Sequence, residues 1–413
     1  MMRLDVVLGD CLERIAEMPA DSVDAIVTDP PYGLSFMGKG WDHGVPGEPF
    51  WAEALRVAKP GAPLLAFGGT RTHHRLMCAI EDAGWEIRDC LMWLYGSGFP
   101  KSLDVGKALD KAAGAEREVI GVNEDYLRRK PNGMKTSGAT AYQYSESQQE
   151  TDARITAPST PLAHSFHGYG TALKPAWEPI ILAMKPTDGT FAANAEKWGV
   201  AGVNVEGCRV EHDGSGSWGE GRRSGGFVDT GASRGASEPN GAYSPAGRFP
   251  ANLVLDEGAA QVLDAEAGDR VHGAGAARSG SPNPRATEPS TWQGPAVQDT
   301  GTMHRFGDIG GPSRFFYCAK ASRKDRGEGN HHATVKPRDL MRYLCTLVLP
   351  PERETPRVIL DPFAGSGSTG IGAYLAGWDH CILIEREQEY ATIAERRVRG
   401  AMVNDAGMFA DID

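Results

Sequence analysis

Four residues, Asp29-Pro30-Pro31-Tyr32, follow directly on the apolar run Val23–Val27, with Gly33 after them. Their types suit chemistry on an amine. An exocyclic amine of a purine or pyrimidine is a poor nucleophile, because its lone pair is delocalised into the ring. A carboxylate at Asp29 together with the Pro30 carbonyl can accept both N–H groups and draw the nitrogen toward a tetrahedral shape. Pro30 and Pro31 fix φ and keep the chain extended, so that carbonyl cannot turn away into a helix. Tyr32 offers a flat face on which a base could lie. Taken alone, the four residues would equally make a surface turn after a strand. Their place at the end of a buried strand, where open α/β sheets bind ligands, favours the site.

A second candidate lies near the other end, in Val358-Ile359-Leu360-Asp361-Pro362-Phe363-Ala364-Gly365-Ser366-Gly367-Ser368-Thr369-Gly370. A strand runs into a glycine-rich turn that opens a helix, and Glu385 ends the next apolar run. Glycines let the backbone approach a ligand closely, and a carboxylate after the second strand can bind both hydroxyls of a ribose. An adenosine-type cofactor is implied. Gly365, Gly367 and Gly370 also satisfy G-x-G-x-x-G, so a nicotinamide dinucleotide is the competing ligand, and with it an oxidoreductase. Against it, Asp361 and Phe363 intervene between strand and glycines, where a dinucleotide site places pyrophosphate on the helix N-terminus. A carboxylate there suits a cationic sulfonium and its amino-acid tail better than two phosphates.

The elements that would position these residues alternate. Apolar strands at 5–8, 23–27, 63–67 and 85–94 are separated by helical patterns at 12–18, 49–57 and 72–83. Helices at 338–349, 368–375 and 388–399 and strands at 358–360 and 380–384 repeat the logic. Such alternation predicts an α/β fold: a Rossmann-like, mostly parallel sheet with helices on both faces, built from both chain ends. A Gly/Ser/Arg-rich stretch at 207–247 and a Gly/Pro/Ser-rich stretch at 268–312 mark an irregular insertion. Strand-like islands at 177–183, 251–255 and 315–317 interrupt it. The expected organisation is a catalytic half over 1–100, a target-recognition region over 101–313, a cofactor-binding half over 314–400 and a tail over 401–413.

Composition narrows the class. The 413 residues are 40% hydrophobic and 23% charged, which suits a globular protein. No apolar run is long enough to span a membrane, and the N-terminus carries no secretory pattern. A cytoplasmic enzyme is expected. Seven scattered cysteines, none in a C-x-x-C pair, indicate neither a disulfide framework nor a zinc module. The net charge of −11 does not decide the partner, because its distribution matters more. Residues 314–342 hold eight Lys or Arg against three acids, a stretch able to meet phosphates or simply to be solvated.

Asp29-Pro30-Pro31-Tyr32 near one end and Phe363-Ala364-Gly365-Ser366-Gly367 near the other resemble the amino-methylating DNA methyltransferases, the N4-cytosine/N6-adenine family. The order, catalytic motif first and cofactor motif last, resembles its permuted β class, and the middle resembles phage and prophage members. The resemblance implies S-adenosyl-L-methionine as cofactor and a flipped base in double-stranded DNA as substrate. Direct displacement would need no metal and no cysteine nucleophile. It also implies cofactor contacts for Asp10, Asp361, Phe363, Gly365, Gly367 and Glu385. His332-Ala333-Thr334-Val335-Lys336-Pro337 resembles the family's His-Pro-Thr-x-Lys-Pro segment, with Ala333 in place of the proline. That match implies roles for Thr334 and Lys336 at the cofactor tail. In this family Asp-Pro-Pro-Tyr leans toward adenine N6 and Ser-Pro-Pro-Tyr toward cytosine N4. Trp177, Tyr169, Trp198, Trp218, Arg222 and Arg223 are candidates for reading the target. The expected setting is a bacterial or phage-infected cell, with a homodimer as one arrangement and no membrane partner.

Overall fold

The computed structural model describes residues 2–34, 44–96, 102–124, 153–210, 243–244, 247–268, 270–272, 308–319, 330 and 335–408. Nine strands form its main sheet: β1 Arg3–Leu8, β2 Ala25–Thr28, β3 Pro63–Phe67, β4 Glu86–Leu94, β5 Trp177–Met184, β6 Leu253–Asp256, β7 Tyr317–Ala319, β8 Val358–Asp361 and β9 His380–Glu385. Their order across the sheet is β1-β9-β8-β2-β3-β5-β4-β6-β7. Neighbours are parallel except at β5, which runs antiparallel to both β3 and β4.

The central strands are apolar on both faces. All of Ala25–Thr28 and Pro63–Phe67 are buried, as a sheet covered on each side requires. Successive side chains go to opposite faces. Ala25, Val27, Leu65 and Phe67 pack with one core, which includes Leu340, Met341, Leu344, Ile371 and Val398. Ile26, Leu64 and Ala66 pack with the other, beside Ile15, Trp51, Ala54, Leu76 and Ile80. The helices supplying those residues are α1 Cys11–Ala16, α2 Glu48–Val57 and α3 His73–Asp82 on one side. On the other are three helices numbered after α4 Val105–Ala112, α5 Pro161–Ser165, α6 Phe191–Trp198 and α7 Glu257–Ala267: α8 Arg338–Leu347, α9 Ser368–Ala376 and α10 Gln388–Met408.

The middle of the chain enters the main sheet through β5 and β6. The expected strand at 315–317 is displaced, because Pro312 opens a 3-10 turn over Pro312–Phe315 and pairing begins only at Tyr317. The last helix runs past the expected 399 to Met408. Most of the two Gly/Ser-rich stretches lies outside the described residues. Among those described, no helix is long and apolar enough to cross a membrane.

Helix α9 contains two glycines with different uses from those of its turn. A Cβ at Gly370 would lie 2.7 Å from Val398 and 2.9 Å from Leu383, and one at Gly372 would lie 2.6 Å from the Met341 backbone. The absent side chains let α9 press against α8, α10 and the sheet. We expect Gly372→Ala to lower the unfolding free energy by about 1–3 kcal/mol through overpacking, despite alanine's better helix propensity. At Gly400, where an added Cβ meets nothing within 4 Å, alanine should stabilise by up to about 1 kcal/mol. Denaturant unfolding of the two variants would check both signs.

Candidate active site

The two sequence motifs meet because β2 and β8 are neighbours. Their parallel register pairs Ala25 with Ile359 and Ile26 with Leu360, so Asp29 and Asp361 emerge at the same sheet edge. Beyond the last pair, the Thr28 hydroxyl donates to Asp361 Oδ1 at 2.7 Å. From β8 the chain continues to β9 on one side, while from β2 it continues to β3 on the other. Where the winding reverses, the strand ends part and leave a crevice.

On the β8 side, Asp361 is buried and also accepts the Phe363 N–H at 3.0 Å. Burial pushes its carboxyl up to about 6, against the opposing pull of the Thr369 and Thr28 hydroxyls and the Phe363 N–H; Asp29 adds to the rise. Gly365 (φ +52°) and Gly367 (φ +80°) take left-handed backbone that other residues adopt only with strain. The Gly365 N–H donates to Glu385 Oε2 at 2.8 Å, and the Glu387 N–H donates to Oε1 at 2.9 Å. Burial raises the Glu385 carboxyl above its usual range in spite of these donors. The Phe363 ring packs on Phe50, with centroids 4.9 Å apart.

Pairing of β1 with β9 brings Asp10 to the same edge, through a 3.0 Å bond from the Gly9 N–H to the Glu385 carbonyl. Asp10 Oδ1 caps α1, accepting the N–H groups of Leu12 and Glu13 at 2.9 and 3.4 Å. Cys11 beside it is a poor nucleophile: burial, then Asp10, pushes its thiol up to about 12. All seven cysteines are free thiols.

On the β2 side, Pro30 is buried and Tyr32 half-buried. The Tyr32 hydroxyl lies 2.8 Å from Asp29 Oδ1 and 3.1 Å from Glu178 Oε2. Lys336 Nζ, almost wholly buried, lies 2.9 Å from Asp29 Oδ2, 3.0 Å from Glu178 Oε2 and 3.1 Å from the Tyr32 oxygen. Burial opposes a charge on Lys336, yet Asp29 and Glu178 outweigh it and hold the ammonium above the usual lysine range. Burial, reinforced by the same two carboxylates, holds the Tyr32 hydroxyl well above the usual phenol range.

A cleft of about 350 Å³ joins the two sides. Its lining includes Asp10, Asp29, Pro30, Pro31, Tyr32, Lys336, Asp361, Phe363, Gly365 and Glu385. Gly367 stands one step behind, capping α9. Thr334 lies outside the described residues, as do Trp218, Arg222 and Arg223. The remaining target-reading candidates are dispersed. Trp177 stacks edge-on with His73 at 5.9 Å, Trp198 donates to Asp188 at 3.2 Å, and Tyr169 is exposed against Phe166. Sequence reasoning gave no contact to Glu178, which also lines the cleft. The available signal was an acid at the start of an otherwise apolar strand.

Fold and cleft together define an α/β protein in which a glycine-rich turn after one strand and the Asp29 carboxylate after its neighbour open on one crevice. A family model described as DNA methylase, covering N6 and N4 methyltransferases, matches residues 23–396, and the chain belongs to that family. The Type II methyltransferase M.HinfI of Haemophilus influenzae is 41% identical over 76 residues, which are 18% of this chain and 20% of that protein. The chain spans between 20% and 37% of the length of the curated relatives it matches. Among solved structures, the M1.HpyAVI–SAM complex is similar at 14% identity and a TM-score of 0.37, over 95% of this chain and 99% of that one. PvuII DNA methyltransferase (cytosine-N4-specific) is similar at 12% identity and a TM-score of 0.40, over 96% and 86%.

The raised pKa of Asp361 means that folding favours its protonated form. Its contribution to stability is present in acid and lost as pH rises through about 6. In a carboxyl-resolved NMR titration we expect a midpoint near 6 for Asp361, moving higher in Thr28→Val, which removes a donor to the charged form. A midpoint in the ordinary aspartate range would contradict this reading of the site.

Proposed function

We propose that the protein is an S-adenosyl-L-methionine-dependent DNA methyltransferase that modifies adenine N6 in double-stranded DNA after base flipping. The observation that carries the reading is the opening of Asp29-Pro30-Pro31-Tyr32 and the Asp361–Gly367 turn onto one cleft. The donor set on the β8 side fits this cofactor. Asp361 and Glu385 favour a cation and hydroxyl groups, whereas two phosphates would meet carboxylates. When bound there, the cofactor supplies an electrophilic methyl group on a sulfonium.

The protein's own residues do the rest by positioning and charge. Glu385 takes the ribose hydroxyls, Asp361 faces the positive end, and the positive-φ glycines let the backbone come close. Across the cleft, Asp29 and the Pro30 carbonyl accept the two N–H groups of the base amine, directing its lone pair at the methyl group. The Tyr32 ring supports the flipped base. Lys336, assigned to the cofactor tail by family likeness, is held at the boundary between the two halves by its bonds to Asp29 and Glu178.

Adenine is preferred over cytosine because the acceptor motif begins with Asp29. The test is incubation of the purified protein with S-adenosyl-L-methionine and unmethylated genomic DNA, followed by nucleoside mass spectrometry. N6-methyladenine is the expected product. N4-methylcytosine would keep the mechanism and change the base, and no methylated base would defeat the proposal. Asp29→Ala should lower methyl transfer by at least about 100-fold, the scale of removing a main transition-state acceptor.

A further inference from the structure

Lys336 presents a difficulty for catalysis by Asp29. An ammonium against the acceptor carboxylate draws off the negative charge that the base amine needs. As the structure stands, both Asp29 oxygens have donors, Tyr32 on Oδ1 and Lys336 on Oδ2. Glu178 Oε2 lies within hydrogen-bond distance of the same two donors, at 3.1 and 3.0 Å. Lys336 has three N–H groups, and among the described residues its hydrogen-bond partners are Asp29, Glu178 and the Tyr32 oxygen. Since Lys336 donates to that oxygen, the single Tyr32 proton goes to one carboxylate or the other.

The placement of Glu178 follows from topology. Strand β5 runs antiparallel between β3 and β4, pairing Ile180 with Phe67 and Glu178 with Trp93. Its first residues therefore lie where its parallel neighbours end, at the edge that holds Asp29. We propose that Glu178 is a positioning residue that takes over Lys336 and the Tyr32 hydroxyl when Asp29 turns to the base amine. With Glu178 charged, Asp29, Glu178 and Lys336 sum to one negative charge facing the methyl donor. Without that charge the ammonium falls to Asp29 alone, and the sum is zero.

This inference rests on the methyltransferase reading, and its test separates the two. Single-turnover methyl transfer is measured for the unsubstituted protein, Glu178→Gln, Lys336→Met and the double variant, with cofactor affinity and melting temperature recorded for each. Glu178→Gln should slow transfer by about 10- to 100-fold, the scale of a lost electrostatic contribution at a reacting centre, with cofactor affinity unchanged. In the Lys336→Met background the same change should cost less than about twofold, because the ammonium it offsets is gone. Where Glu178→Gln alone fails to fold, the step from Lys336→Met to the double variant still tests the assignment, because a loss well above twofold there would contradict it. Equal losses in both backgrounds, or no loss in either, would overturn the assignment. No transfer by the unsubstituted protein would instead defeat the functional reading.

Discussion

Everything at the site depends on one pairing between strands more than 300 residues apart in sequence. β2 and β8 share only two residue pairs, Ala25 with Ile359 and Ile26 with Leu360, and side chains secure them at both ends. At the far end, the fully buried Asp24 accepts the Val358 N–H at 2.7 Å and is neutralised by Lys59 and Arg353 at 2.7 and 2.6 Å. At the cleft end, the Thr28 hydroxyl binds Asp361. A buried carboxylate needs such partners, because an unpaired charge in the interior is costly. The partners here belong to segments from opposite ends of the chain, so satisfying the charge also sets the register that brings Asp29 beside the glycine turn.

The cleft that results is divided electrostatically. On one side two carboxyls, the buried Asp361 and the half-buried Glu385, are raised by desolvation and wired to hydroxyls and backbone N–H groups. On the other, two carboxylates and an ammonium share a tyrosine hydroxyl. The first arrangement suits recognition of a cation with a hydroxylated sugar, the second activation of an amine. Neither calls on a thiol, and the one cysteine in the cleft, Cys11, is held protonated. The antiparallel β5 is essential to this division, since a parallel strand in its place would deliver Glu178 to the opposite edge of the sheet.

Much of this was legible in the sequence, for physical reasons that differ by element. Runs such as Pro63–Phe67 declare themselves because a strand buried on both faces must be apolar throughout. The glycine turn after Asp361 declares itself because only glycine adopts its backbone without strain. The contact between Glu178 and Lys336 could not be read, because it depends on which strands flank β5 and in which direction it runs. The two-residue displacement at Tyr317 reflects a proline-started turn that competes with pairing. The cap that Asp10 makes for α1 is a local role that a family likeness, concerned with the cofactor, does not mention.

The central claim is that the two halves of the cleft have separate tasks, the β8 side binding cofactor and the β2 side acting on the acceptor. Calorimetric titration of S-adenosyl-L-methionine into Asp361→Asn and Asp29→Ala, beside the unsubstituted protein, tests it most directly. Loss of a charge-assisted contact should weaken binding to Asp361→Asn by about tenfold or more, while Asp29→Ala stays within about twofold. Binding lost in Asp29→Ala and kept in Asp361→Asn would contradict the account.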